Sequence, residues 1–97
     1  MQITKNQDGE KLTVKVEGRL DTSTAPSLEA ELGTLDGVNE MVFDFSGLEY
    51  VSSAGLRVIL ATQKTMSKKG GLVLTGVSDA VMEVFEITGF ADILTIQ

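Results

Sequence analysis

Apolar and polar residues alternate most sharply over Lys11–Leu20, KLTVKVEGRL. Leu12, Val14 and Val16 fall on one side of an extended chain, with Thr13, Lys15 and Glu17 on the other. This predicts a strand with one dry face and one wet face. Before it, QITKNQ reads as a weaker strand, joined to it through the turn dipeptide Asp8-Gly9. After it the period changes. In DTSTAPSLEAELGTL, Ala25, Leu28, Leu32 and Leu35 recur at helical spacing, and Asp36-Gly37 closes the segment. Asp21 to Thr24 supply capping side chains, and Pro26 suits a first helical turn.

The remaining segments continue the alternation. EMVFDFSG reads as a buried strand with Phe43 and Phe45 on one face, and LEYVSSAG as the turn into the next helix, GLRVILATQKTMSKKGG. There Leu56, Ile59, Leu60 and Gln63 share a face, which Val58 widens. Lys68 and Lys69 fall at the negative end of the helix dipole, before Gly70 and Gly71. LVLTGV is a short apolar strand. Ser78 caps the helix DAVMEVFEITG, with Val81, Val84 and Phe85 inside, and ILTIQ is a last strand.

The predicted order is β, β, α, β, α, β, α, β. Strand–helix alternation implies parallel pairing with right-handed crossovers, so the fold class is α/β. The first strand pairs antiparallel through its tight turn. The wet face of the second strand predicts helices mainly on one side of the sheet. Val42 and Val73, on the other side, would then need cover or a partner. No repeat, linker or low-complexity tract interrupts residues 1–97, which read as a single domain.

Composition narrows the chemistry. The formal net charge is −6, from 14 acidic and 8 basic residues. That argues against nucleic acid, whose binding needs a basic footprint. It gives no attraction to an anionic membrane either. No apolar run reaches bilayer-spanning length, and the N-terminus shows no signal-peptide core, so a cytoplasmic location is expected. Cysteine and histidine are absent. Disulfides, thiol catalysis, Cys/His zinc sites, Ser-His-acid triads and phosphohistidine carriers are excluded with them. Phosphate chemistry would have to use a hydroxyl or a carboxylate.

Three features bear on such chemistry. Asp44 lies in a strand, as a receiver-domain phosphoacceptor does, but no further acidic cluster accompanies it, so a structural role is expected. Ser46-Gly47 and SSAG suggest a phosphate loop only weakly, because neither glycine-rich nucleotide pattern is present. Ser52 and Ser53 stand where a strand gives way to a helix. One hydroxyl there would cap the helix, at about 1 kcal/mol. The other reading is a covalent switch, since a helix N-terminus favours a phosphate. On the same helix Arg57, Ala61, Lys64 and Lys68 share one face. Arg57 sits in the first turn, where the dipole disfavours a cation, four residues after Ser53.

Taken in order, GRLDTSTAPSLEAEL, MVFDFSGLEYVSSAGLRVIL and GGLVLTGVSDAVMEVFEITGF resemble the bacterial anti-sigma factor antagonists of the STAS family over nearly the whole chain. The resemblance implies a βα superhelix with a mainly parallel sheet. It implies a non-enzymatic protein that binds an anti-sigma factor, itself a serine kinase, and so frees a sigma factor. Ser53 matches the family's phosphorylated serine, and phosphorylation would switch binding off until a serine phosphatase restores it. ATP and Mg²⁺ would belong to the kinase, leaving this chain without a cofactor. Asp21, Thr22, Ser23, Ser52, Ser53, Gly55 and Arg57 are the expected partner-binding residues. Asp21 matches a family aspartate, and its competing role is as a helix cap. Two departures stand out. Ser52 replaces the family's usual aspartate, and Ala54 replaces a second hydroxyl, leaving Ser53 alone before Ala54-Gly55. Other readings are a STAS interaction module without sigma-factor control and a small nucleotide-binding protein.

Overall fold

The computed structural model describes all 97 residues. The elements are β1 (Gln2–Asp8), β2 (Lys11–Leu20), α1 (Ala25–Leu32), β3 (Glu40–Val51), α2 (Ser53–Ser67), β4 (Leu72–Thr75), α3 (Asp79–Thr88) and β5 (Thr95–Ile96). The five strands form one sheet in chain order, β1-β2-β3-β4-β5. The β1–β2 pair is antiparallel and the others are parallel. Gly9, at φ 62°, supplies the positive dihedral that the tight β1–β2 turn needs.

Chain order dictates the layering. Each parallel crossover steps the same way across the sheet, so right-handed connections place all three helices on one face. The core lies between that face and the helices: Leu12, Val14 and Val16 from β2, Met41, Phe43 and Phe45 from β3, and Leu72 and Leu74 from β4. The rings of Phe43 and Phe45 stack at 5.0 Å. On the bare face Val42 pairs with Val73 across β3 and β4, flanked by Thr13 and Thr95. The two valines are half-buried.

Four expectations needed correction. The third strand does not stop at Gly47 but runs to Val51. Two register shifts against β2 each insert one extra residue in β3. Inward-facing residues therefore move from the two-residue step Phe43–Phe45 to three-residue steps, Phe45–Leu48–Val51, all buried. Second, α1 ends at Leu32, capped by Gly33 at φ 58°. Leu35 is still buried, but from a left-handed backbone at φ 60°. Its burial outweighs a conformational cost of about 1–2 kcal/mol. Lys69 Nζ donates to the Leu35 carbonyl at 2.7 Å and secures that loop. Third, Leu60 and Gln63 are only half-buried, whereas Thr62 and Met66 reach the core. The Thr62 hydroxyl donates to the Val58 carbonyl at 2.8 Å, which satisfies it inside. Fourth, the last strand is only Thr95–Ile96, because a 3-10 turn at Phe90–Asp92 uses the preceding residues.

One contact fixes where α2 begins. Gly55 is buried against the end of β2, and a Cβ there would lie 2.7 Å from Leu20 Cγ and 3.0 Å from the Leu20 carbonyl oxygen. Gly55→Ala should overpack this seam at about 1–3 kcal/mol, offset by about 0.5–1 kcal/mol of helix propensity. A net loss of about 1 kcal/mol or more is expected in urea denaturation. An unchanged midpoint would show that the seam can open to admit a methyl group.

Candidate functional site

The loops at the C-terminal ends of β2 and β3 meet. β2 and β3 are neighbours, and the Ser52 N–H donates to the Leu20 carbonyl at 2.9 Å. The Asp21–Thr24 loop therefore lies beside the start of α2, as adjacency of those strands requires.

The two serines have different jobs in the fold. Ser52 is the N-cap of α2, with extended backbone, and its hydroxyl accepts the Gly55 N–H at 3.3 Å. Its carbonyl accepts the Leu56 N–H at 2.9 Å. Ser53 is the first helical residue, is exposed, and its hydroxyl makes no bond within the protein. Ala54 packs against the core, Gly55 is the seam, and Arg57 is exposed one turn on.

Asp21 organises the neighbouring loop. Its Oδ1 accepts the Ser23 N–H at 3.0 Å, the Ser23 hydroxyl at 2.8 Å and the Thr24 N–H at 3.1 Å. In return the Asp21 N–H donates to Thr24 Oγ1 at 2.8 Å, and that hydroxyl donates to the Arg19 carbonyl at 2.8 Å. The Ser23 hydroxyl, helped by the backbone donors, holds the Asp21 carboxyl below its ordinary pKa against a smaller desolvation effect. The capping expectation is not met: Thr24 is the N-cap of α1 and makes no side-chain capping bond, and the Asp21 carboxylate bonds within its own loop instead. Thr22 is exposed at the loop tip and lines a groove of about 290 Å³ with Ala25, Pro26, Glu29, Ala54 and Arg57.

Two residues of this end had no role in the sequence reading. Arg19 sits over the Tyr50 ring at 4.3 Å and approaches Asp21 Oδ2 at 3.9 Å. They are paired because the second register shift in β3 leaves Glu49 as the extra residue and brings Tyr50 opposite Arg19. The three-residue step from Leu48 to Val51 carries the signal for that shift. Tyr50, the only tyrosine, stays 39% exposed.

Asp44 lies away from this end. Its Oδ1 accepts the Ser46 N–H at 3.0 Å, which holds its pKa low with help from the Ser46 hydroxyl and Lys15. It fixes the first irregularity of β3. No three acidic side chains converge anywhere to hold a metal ion.

The family model described as "Mlab, STAS domain" matches residues 3–95. The chain belongs to the STAS family. Among relatives of this STAS domain is a putative anti-sigma factor antagonist, BtrV, of Bordetella bronchiseptica, 37% identical over 99% of this chain and 85% of its own length. The anti-sigma-B factor antagonist of Staphylococcus aureus is 35% identical over 87% of this chain and 81% of its own. In structure, the antagonist SpoIIAA in its unphosphorylated form superposes with a TM-score of 0.83 at 19% identity, over 99% of this chain and 88% of its own. Its phosphorylated form, a Bacillus protein, gives 0.76 at 18%, over 99% and 91%. At that identity the likeness concerns the fold. The antiparallel first strand, the parallel remainder and the three helices match the STAS fold of SpoIIAA.

The STAS domain's Asp21 loop gives a pH test. A carboxyl whose pKa is lowered by folding stabilises the fold above its unfolded pKa, and that contribution fades as pH falls through the lowered value. Asp21→Asn keeps an acceptor but removes the charge. Wild type should lose Tm faster than Asp21→Asn as pH falls from about 5 to about 3. Parallel Tm–pH curves would mean that the Asp21 charge contributes nothing to folding.

Proposed function

We propose that this STAS domain is an anti-sigma factor antagonist, a binding regulator rather than an enzyme, controlled at Ser53. The observation that carries the proposal is the free, exposed Ser53 hydroxyl on the first residue of α2, set beside the Asp21 loop. The names of the Bordetella and Staphylococcus relatives support the antagonist role. SpoIIAA, which shares the fold, exists in both a bare and a phosphorylated form.

In this reading the bare surface binds an anti-sigma factor that is also a serine kinase, which releases the sigma factor. Asp21, Thr22, Ser23, Ser52, Ser53, Gly55 and Arg57 form or shape that surface. The kinase brings ATP and Mg²⁺. Ser53 Oγ attacks the γ-phosphorus, an O–P bond forms as the bond to the departing ADP breaks, and the hydroxyl proton passes to a base on the kinase. This chain supplies no such base: it has no histidine, and the Asp21 carboxylate already accepts from Ser23 and Thr24. The product carries about −1.5 to −2 charge on a surface shaped for contact. Burying that charge against a partner without matching cations costs several kcal/mol, so the complex dissociates. A serine phosphatase transfers the phosphoryl group to water and restores the hydroxyl.

Mass spectrometry of the protein from its native cells should find phosphate on Ser53. Ser53→Ala should abolish the modification. Ser52→Ala should keep it while losing about 1 kcal/mol of stability with its cap. Phosphate on Ser52 in the Ser53→Ala protein would reverse the assignment, and an unmodified wild type bound to no anti-sigma factor would refute the antagonist reading.

A further inference from the structure

Arg57 has no partner in the folded chain. It is exposed and enters no ion pair or hydrogen bond, although Glu29 of α1 lines the same groove. The other cations are occupied or remote. Arg19 is turned to Tyr50 and Asp21, and the next basic residue of α2 is Lys64, two turns on. A cation in the first turn of a helix faces the positive end of the dipole, so Arg57 gains nothing from its own helix.

Its position does match Ser53. Ser53 is already helical, and Arg57 follows at i+4 on the same face, about 6 Å away between Cβ atoms. Both side chains are exposed, and the Ser53 hydroxyl is unbonded. From that spacing a guanidinium reaches a phosphate ester with two N–H donors.

We propose that Arg57 is a built-in counter-ion for phosphorylated Ser53, a positioning residue that clamps the phosphate against the first turn of α2. This rests on the reading of Ser53 as the modified residue. The local charges explain the need. A phosphate on Ser53 stands next to the Asp21 loop, with the Asp21 carboxylate, and near the groove that holds Glu29. Both repel it. Arg19 offsets the first in part, at 3.9 Å from Asp21 Oδ2, and Arg57 is the cation that shares a helix face with Ser53. Once clamped, Arg57 is withdrawn from any acidic group of a partner. Phosphorylation then removes a positive contact as well as adding negative charge.

The phosphate's second ionisation reads this pair directly. Phosphoserine installed at position 53 during translation avoids any dependence on a kinase. Phosphorus NMR titrations would compare wild type, Arg57→Ala, Arg57→Lys and Glu29→Gln, all carrying phosphoserine. A nearby guanidinium favours the dianion, so Arg57→Ala should raise the phosphate pKa by roughly 0.2–0.7 unit, the exposed-pair energy converted at 1.36 kcal/mol per unit. Arg57→Lys should fall between wild type and Arg57→Ala. Glu29→Gln should lower the pKa. At 1 M salt the Arg57→Ala difference should shrink, as screening of an exposed pair requires. Equal pKa values in wild type and Arg57→Ala would overturn the clamp. That result leaves the function of Ser53 untouched, because phosphate in native cells tests it separately.

Discussion

The start of α2 rests on the end of β2 with no room for a side chain between them. Gly55 lies against Leu20, and the Ser52 N–H is tied to the Leu20 carbonyl. The loops at the ends of β2 and β3 depend on this contact for their spacing. The pairing of β2 with β3 up to Leu20 and Val51 makes the two loops neighbours, and the Gly55 contact sets how closely they pack. Together they form one surface in which the amides of Asp21, Ser23, Thr24, Ser52 and Gly55 are all satisfied from within. Under the proposed function, a partner would meet loops whose internal bonding is already in place, which lowers the ordering entropy spent at binding.

The one-sided architecture follows from chain order and bears on where partners can sit. Strands added in sequence with right-handed crossovers stack every helix on one face. The other face must then tolerate water. It does so with threonines and paired charges along β2 and β3, and with two valines that shelter each other. The end that carries the proposed site lies at the boundary between these faces. Arg19 and Tyr50 approach it from the bare side of the sheet, and Ser53 and Arg57 from the helical side.

Much of this was legible in the sequence, for identifiable reasons. Alternation in KLTVKVEGRL, helical spacing in α3 and the glycines at element ends gave the order, the parallel pairing and the one-sided helices. Two of the errors share a cause: a periodic rule was extended across a residue where the backbone departs from it. Leu35 fits the apolar stripe of α1, yet Gly33 ends the helix first and the leucine is buried by a loop. The third strand was cut short because Phe45, Leu48 and Val51 break the two-residue period, although a three-residue step is how a bulged strand keeps facing inward. The Arg19–Tyr50 pairing was lost with it. At the site, Ser53 and Asp21 were named from their resemblance to a family, whereas the bonding that separates Ser52 from Ser53 required coordinates.

That separation would let the proposed phosphorylation change the charge at one position without endangering the fold. Ser52 and Ser53 are adjacent, identical and both at a helix start, so composition cannot rank them. Geometry does. The Ser52 hydroxyl is turned back into the helix, where its oxygen satisfies the Gly55 N–H. Esterifying it would crowd the seam against Leu20 and disturb the cap. Ser53 is one residue further, already helical, and its side chain projects outward with no structural duty. A phosphate there meets the positive end of the helix dipole rather than the core. Holding the helix falls to Ser52, and its neighbour Ser53 is left free for the proposed modification. Ser52 caps the helix with a neutral acceptor, so a phosphate placed on Ser53 as proposed would have no carboxylate on the residue before it.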